Sequence, residues 1–154
     1  MSIIFVFTRI SPADADRLTG APDIADEFLD ALPLADDEPC GDLDQAWDGL
    51  RLLFPAAAVD FDLLREDRSG GRQDCLSVWT PKEVAAAAKI LTSTPFGTLA
   101  EHFSPELMDE EAARPEIWDD RDEALDYLGD GYARLRAFFA YASSTDSAAI
   151  GRFA

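Results

Sequence analysis

Cysteine and histidine are scarce in this chain of 154 residues, and their scarcity excludes several kinds of site. Cys40 and Cys75 are the two cysteines, too few for a thiolate zinc site and too far apart for a Cys-x-x-Cys redox pair. One disulfide between them is formally possible, but nothing in the chain indicates secretion, so two reduced thiols are favoured. The single histidine is His102. A catalytic base needs a positioned partner, so a structural or solvated role is the simpler interpretation of this residue.

Long apolar runs are also missing. The N-terminal stretch 1–9 is apolar but far too short for a signal peptide or a membrane span, so we expect a cytoplasmic protein. The sequence contains no Gly-x-Ser-x-Gly elbow, no phosphate-binding loop and no dinucleotide fingerprint. Because none of these motifs is present, we assign no catalytic residue, no cofactor and no metal.

Positive charge is sparse as well. The chain has 31 acidic and 13 basic residues, and its formal net charge is −18. Such a surface repels phosphate backbones and anionic lipids, which argues against nucleic acid or a membrane surface as a partner. It would attract a basic protein and accelerate that encounter at low salt. Two other interpretations stay open: the charge only maintains solubility, or it is an adaptation to high salt.

What the chain does contain is enough apolar material for a core. The hydrophobic fraction is 47% and the aromatic fraction is 10%, so disorder is not expected. The length predicts one domain that covers residues 1–154. The oligomeric state is not predicted.

The pattern of elements predicts an α+β fold, with a small β-sheet covered by several helices. Strands are predicted at the N-terminus (3–8), in the middle (75–79) and at the C-terminus (148–153), from short runs of β-branched and aromatic residues. Helices are predicted at 12–19, 22–33, 42–54, 81–91, 95–103, from 105, and at 121–142, the last being the longest. Residues 59–64 could be either a strand or a turn of helix.

Two of these helices have the clearest signals. Thr80 and Glu83 are spaced as a capping box. The long helix carries apolar residues three and four positions apart, which indicates a buried seam. Its glycines, Gly129 and Gly131, each cost about 1 kcal/mol relative to alanine, and they could permit a close approach of another element or a kink.

The helix predicted at 42–54 is the most informative stretch. Leu43, Trp47, Leu50 and Phe54 recur on one face. Asp42 and Asp44 are then expected in the first turn, where they would complement the helix dipole, and Pro55 is expected to end the helix.

The block formed by Asp42, Asp44, Trp47, Asp48 and Leu50 resembles the signature of the YfbM-like family, a bacterial domain of unknown function. The order of features along nearly the whole chain is similar to that family too, from the N-terminal strand to an aromatic-rich last helix and a short final strand. The resemblance implies a compact α+β domain. It implies no activity, because none is established for the family.

Two clusters of carboxylates are candidate sites. Residues 119–126 could bind a divalent ion, but they lack the EF-hand spacing, and capping of the long helix explains them better. The second cluster leads into the signature block, and from it we predict a candidate binding surface. Its members are Asp37, Glu38, Asp42, Asp44, Trp47, Asp48 and Arg51. Trp47 is favoured as a core residue rather than a ligand-stacking one, because it lies on the apolar stripe.

Two functions follow as hypotheses. The favoured one is an acidic protein-binding module that recognises a basic protein partner, as an immunity protein or an inhibitor would. The alternative is a carboxylate-based enzyme, with or without a metal, whose cleft lies near the start of the helix at 42–48. The alternative requires at least two of Asp42, Asp44 and Asp48 to converge in a pocket.

Overall fold

The computed structural model describes residues 4–21, 24, 27–28, 31, 38–64, 77–111, 113 and 117–153. These residues include three strands and six helices, which confirms the α+β class. In chain order the elements are β1 (Phe5–Ile10), α1 (Pro12–Gly20), α2 (Ala46–Ala56), β2 (Ser77–Trp79), α3 (Pro81–Thr92), α4 (Phe96–Ala100), α5 (Pro105–Glu110), α6 (Arg121–Ser144) and β3 (Ala148–Phe153). The helix predicted at 22–33 lies mostly outside the described residues, as do residues 75–76 of the middle strand.

The last strand is the centre of the sheet. The strand order is β1-β3-β2, and both pairings are antiparallel. Phe5 lies opposite Phe153, and Ser77 lies opposite Gly151. All three predicted strands are therefore confirmed, although β1 is placed two residues later than its pattern suggested.

Side chains alternate between the two faces of a sheet, and here the faces carry different cores. Phe5 and Phe7 point into the larger core, which contains the buried residues of α2 to α6. Ile10 and Ile150 point into a smaller core that they share with α1. The sheet is thus covered by α1 on one face and by the remaining described helices on the other.

The long helix organises the larger core. Leu128, Tyr132 and Leu135 of α6 are buried, and the helix packs against α3 and α2. Asp120 caps its N-terminus by accepting a hydrogen bond from the Glu123 N–H at 3.1 Å, as the capping interpretation of this acidic cluster predicts.

The capping box before α3 is confirmed. The Thr80 hydroxyl accepts from the Glu83 N–H at 3.2 Å, and the Glu83 carboxylate accepts from the Thr80 N–H at 3.1 Å. Both orphan donors at this helix start are therefore satisfied within four residues of sequence.

The bounds predicted for the signature helix are wrong at both ends. α2 begins at Ala46, so Asp42 and Asp44 are not in its first turn. It also continues to Ala56, with Pro55 inside its last turn. The helix ends because Ala58 adopts a left-handed conformation with φ 56°, which lets the Val59 N–H donate to the Phe54 carbonyl at 2.8 Å.

Candidate functional site

Residues 41–44 lie along the free edge of β1 instead of forming a helical turn. The Phe7 N–H donates to the Gly41 carbonyl at 2.8 Å, and the Leu43 N–H donates to the Phe5 carbonyl at 2.9 Å. A Cβ atom at Gly41 would collide with the Phe7 carbonyl oxygen, so this close approach requires glycine. The segment satisfies edge groups of β1 that an open sheet would leave unpaired.

The first two acidic residues of the signature shape a tight turn into α2. The Asp42 carboxylate accepts from the Asp44 N–H at 2.7 Å, which is an Asx turn, and Asp44 itself has φ 51°. The Tyr127 hydroxyl of α6 accepts from the Gln45 N–H at 3.1 Å. Burial raises the pKa of Tyr127, and the charge and hydrogen bond of Asp44 raise it further. The protonated phenol therefore joins this turn to α6.

Small residues then bring α2 against α6. A Cβ atom at Gly49 would lie 2.7 Å from Leu128 Cδ2 and 3.0 Å from the Trp118 ring. Trp47 packs edge-on against Phe153, with ring centroids 4.9 Å apart, and is partly buried against the larger core. Its place in packing agrees with the interpretation of Trp47 as a core residue.

Asp48 and Arg51 form an ion pair on α2. The Arg51 Nε–H donates to Asp48 Oδ1 at 2.6 Å, and Asp48 is 7% exposed. Asp48 is also the acidic residue in the first turn of the helix, where its charge complements the dipole. Its carboxylate therefore has an intramolecular role.

Glu38 is held at the other end of β1. The Arg9 guanidinium donates to both carboxylate oxygens of Glu38, donates to the Ser147 hydroxyl at 2.9 Å, and lies 5.5 Å from the Tyr141 ring centroid. The hydrogen bond and the charge of Arg9 hold the pKa of Glu38 below its usual value of 4.5, although partial burial opposes this. Asp37 lies outside the described residues.

The described residues of the candidate surface predicted from the sequence thus lie where the sheet edge, α2 and α6 pack together. Glu38, Asp42, Asp44 and Asp48 each contact a partner within the chain. These four residues lie along the β1 edge and the start of α2, and the hydrogen bonds give each of them a structural role. A role of this surface in binding stays a prediction.

An open cleft of about 300 Å³ lies beside the end of α2. It is lined by Arg51, Pro55, Val59, Asp60, Phe61, Asp62, Leu63 and Leu64. Asp42, Asp44 and Asp48 do not line it, so the convergence that the enzyme hypothesis requires is not found in this cleft. Residues 59–64 were not assigned to an element from the sequence. In the structure they form neither a strand nor a helix, with bends at Leu63 and Leu64 and the Phe61 N–H donating to the Val59 carbonyl at 2.9 Å.

Most of the exposed acidic residues in the described part of the chain lie between residues 101 and 130. Among the described residues of 101–130, eleven acidic residues are exposed. They are Glu101, Glu106, Asp109, Glu110, Glu111, Asp119, Asp120, Asp122, Glu123, Asp126 and Asp130. The salt bridges within the described ranges join Arg9 to Glu38, Arg17 to Asp14 and Arg51 to Asp48, so these eleven carboxylates take part in none of them.

The described residues contain no group of three or more histidine, cysteine, aspartate or glutamate side chains that could hold a metal ion. His102 and Cys40 are both exposed. In the part of the chain that the structure describes, no helix combines the length and apolarity needed to cross a membrane.

A family model described as a domain of unknown function, DUF1877, matches residues 1–151. The chain belongs to the DUF1877 family. Among solved structures, this DUF1877 chain is similar to YfbM from Escherichia coli, a protein of unknown function, with a TM-score of 0.73 and 18% identity over 98% of this chain and 99% of that one. The resemblance to the YfbM-like family is confirmed, and the likeness establishes the shared fold. No curated protein matches the chain.

Proposed function

We propose that this DUF1877 protein is an acidic binding module that recognises a basic protein surface. The observation that supports the proposal is the set of eleven exposed carboxylates in 101–130, which have no salt bridge among the described residues. Unneutralised charges of one sign raise the local potential and accelerate the approach of a partner of opposite sign.

The contact surface is expected to centre on the first half of α6. Asp122, Asp126 and Asp130 are spaced by four residues, so they lie on one side of that helix. By contrast, Asp48 is paired with Arg51, and Glu38 is paired with Arg9. The surface predicted at 37–51 would therefore contribute less of the electrostatic attraction.

A carboxylate-based enzyme is not proposed. Asp42 shapes the turn before α2, Asp44 hydrogen-bonds Tyr127, and Asp48 pairs with Arg51. These contacts give each of the three carboxylates a structural role, and none of the three lines the cleft beside α2.

The first test is a pull-down of the tagged protein from the lysate of its own host, at low salt and at roughly 0.5 M salt, where the screening length falls to a few ångström. A basic protein that is retained at low salt and lost at high salt is the expected result. The association rate of the purified pair should then fall steeply with salt. An empty pull-down at both salts, or an association rate that does not change with salt, would contradict the binding module.

Two matched triple variants test the location of the surface. The first removes three charges from α6 through Asp122→Asn, Asp126→Asn and Asp130→Asn. The second removes three exposed charges elsewhere through Asp16→Asn, Glu27→Gln and Asp146→Asn. Both variants start from the net charge of −18 and lose three negative charges, so their net charges are equal. The first triple should slow association by about tenfold and the second by much less, because steering depends on charges near the contact. Equal slowing by both would rule out α6 as the centre.

A further inference from the structure

Acidic residues are unevenly spread over this chain. It contains 31 of them, yet none lies in 84–100 and none lies in 131–145. These two stretches meet in the fold, because α3 packs against α6 and the Tyr132 hydroxyl donates to the Thr94 carbonyl at 2.6 Å. The two stretches without a carboxylate therefore lie side by side in an otherwise strongly acidic protein.

The outer side of α6 changes its chemistry along the helix. Six exposed residues recur there at spacings of three and four positions, which places them on one side of the helix. They are Asp122, Asp126, Asp130, Ala133, Ala137 and Ala140. The first half of this outer side is therefore acidic. The second half carries only small side chains at these positions, which permits the close approach of another helix.

Two cations border the alanine half of the outer side. Arg136 lies beside the exposed alanines of α6, and Lys89 is exposed on the neighbouring α3. The Arg136 Nη2 donates to the Thr92 carbonyl at 3.3 Å, and the guanidinium lies 5.7 Å from the Tyr132 ring centroid. That hydrogen bond uses one of the five N–H donors of the arginine. Neither Arg136 nor Lys89 takes part in a salt bridge among the described residues.

The two halves of the outer side are complementary in charge, and a second copy of the chain provides both. Two α6 helices can lie antiparallel with the two-fold axis between Asp130 and Ala133. Asp126 of one copy then faces Ala137 of the other copy, next to the Arg136 of that copy. Two-fold symmetry repeats the contact, so each copy contributes one acidic half and one cationic half. We propose that the outer side of α6 is the interface of a symmetric antiparallel dimer of this chain.

Salt controls the balance between this local attraction and the repulsion of two copies that each carry −18. At about 0.01 M salt the screening length is roughly 30 Å, so the net charges of the two copies repel each other. At about 0.15 M it is roughly 8 Å, so distant charges are screened while carboxylates and cations in contact still attract. At about 1 M it is roughly 3 Å, and exposed pairs weaken as well. The dimer is therefore expected to be most stable near 0.15 M.

Sedimentation velocity of the purified full chain, over a range of concentrations at these three salts, is the first test. Ala137→Trp should raise the dissociation constant of the dimer by at least about tenfold, because the indole ring keeps the helices apart. Ala13→Trp, at an exposed alanine of α1, is the matched control and should change it by less than about twofold. A parent that is monomeric at every salt and concentration, or equal effects of the two variants, would overturn the proposal.

A charge swap tests the orientation of the two copies. The acidic variant combines Lys89→Glu with Arg136→Glu, and the basic variant combines Asp122→Lys with Asp126→Lys. Each variant should be monomeric by itself, since like charges then face each other. Their mixture should form a one-to-one dimer at least about tenfold tighter than either variant forms alone. Both variants keep a large negative net charge, so overall attraction does not explain such pairing. A mixture that stays monomeric would overturn the proposal.

Circular dichroism checks that each variant is folded. If Arg136→Glu does not fold, Lys89→Glu takes its place in the mixture, and the comparison of Ala137→Trp with Ala13→Trp decides the question.

The dimer does not rest on the proposed function, although both use Asp122, Asp126 and Asp130. A second copy and a basic partner would compete for these carboxylates. The Lys89→Glu/Arg136→Glu variant should therefore bind the basic partner at least as tightly as the parent does. A monomeric parent that retains a basic protein would overturn the dimer and leave the binding module standing. A dimer that retains no basic protein at either salt would support the inferred interface and contradict the binding module.

Discussion

Gly131 of α6 lies against Ala46 of α2 so closely that a Cβ atom at position 131 would come within 2.6 Å of the Ala46 Cβ atom. Real Cβ atoms do not approach one another to this distance, so the close packing of α2 against α6 depends on a glycine at position 131. The sequence left open whether the glycines of α6 permit a close approach or a kink. At Gly131 the structure shows a close approach.

Substitution Gly131→Ala is expected to destabilise the protein by about 1–2 kcal/mol, because overpacking outweighs the gain in helix propensity. Gly129→Ala is the matched control, because a Cβ atom at position 129 would lie 3.3 Å from Phe96 Cε2 and the Phe96 ring can move slightly. That control should be neutral or mildly stabilising. Urea unfolding of both variants checks the pair, and a Gly131→Ala variant as stable as the parent would contradict the close packing.

Substitution Ala58→Gly is expected to stabilise the protein by about 0.5–1 kcal/mol, since alanine is strained at φ 56° and glycine is not. Ala57 precedes it with φ −89°, an ordinary value, so Ala57→Gly should instead be destabilising. Thermal unfolding monitored by circular dichroism measures both. A lower melting temperature for Ala58→Gly would show that the left-handed conformation does not strain this chain.

Substitution Tyr127→Phe should lower the free energy of unfolding by about 1–2 kcal/mol, because it removes the hydroxyl that accepts from the Gln45 N–H and hydrogen-bonds Asp44.

The raised pKa of Tyr127 also makes the stability depend on pH. The folded state holds the phenol proton more tightly than the unfolded state, so this stability is present below the usual pKa of 10.0 and is lost as pH rises above it. Tyr127→Phe should reduce that alkaline loss. Tyr141→Phe, which keeps the ring beside Arg9, is the control and should change little.

Substitution Glu38→Gln should make the protein less sensitive to acid. The pKa of Glu38 is lowered in the fold, so its contribution to stability is present above the usual value of 4.5 and is lost as pH falls through the folded pKa. The variant lacks that titration, and the difference in stability from the parent should shrink between pH 7 and pH 3. Glu27→Gln, at an exposed position, is the control. A difference that stays constant with pH would contradict the role of the Arg9–Glu38 pair.

Several elements were predictable because the residues that stabilise them are close in sequence. Thr80 and Glu83 complete their capping box across three positions, and the Asp120 carboxylate caps α6 by accepting from the Glu123 N–H. Leu128, Tyr132 and Leu135 recur at helical spacing and are buried as that spacing indicates.

The start of α2 was not predictable for the opposite reason. Asp42 and Asp44 precede an apolar stripe and resemble a helix N-terminus, but the edge of β1 takes up residues 41–44. The partners that decide their conformation are remote, since the Gln45–Tyr127 hydrogen bond spans 82 positions. A pattern of neighbouring residues contains no information about that contact.

The amino-acid sequence by itself determined the α+β class, the main helix caps, the buried seam of α6 and the strongly acidic character of the protein. Those properties follow from composition and from interactions within one or two helical turns. Only the tertiary structure decided that β3 is the central strand, which carboxylates pair with arginines and which stay exposed, and that residues 51–64 enclose a cleft. These depend on contacts between distant segments, whose free energy depends on how the whole chain packs.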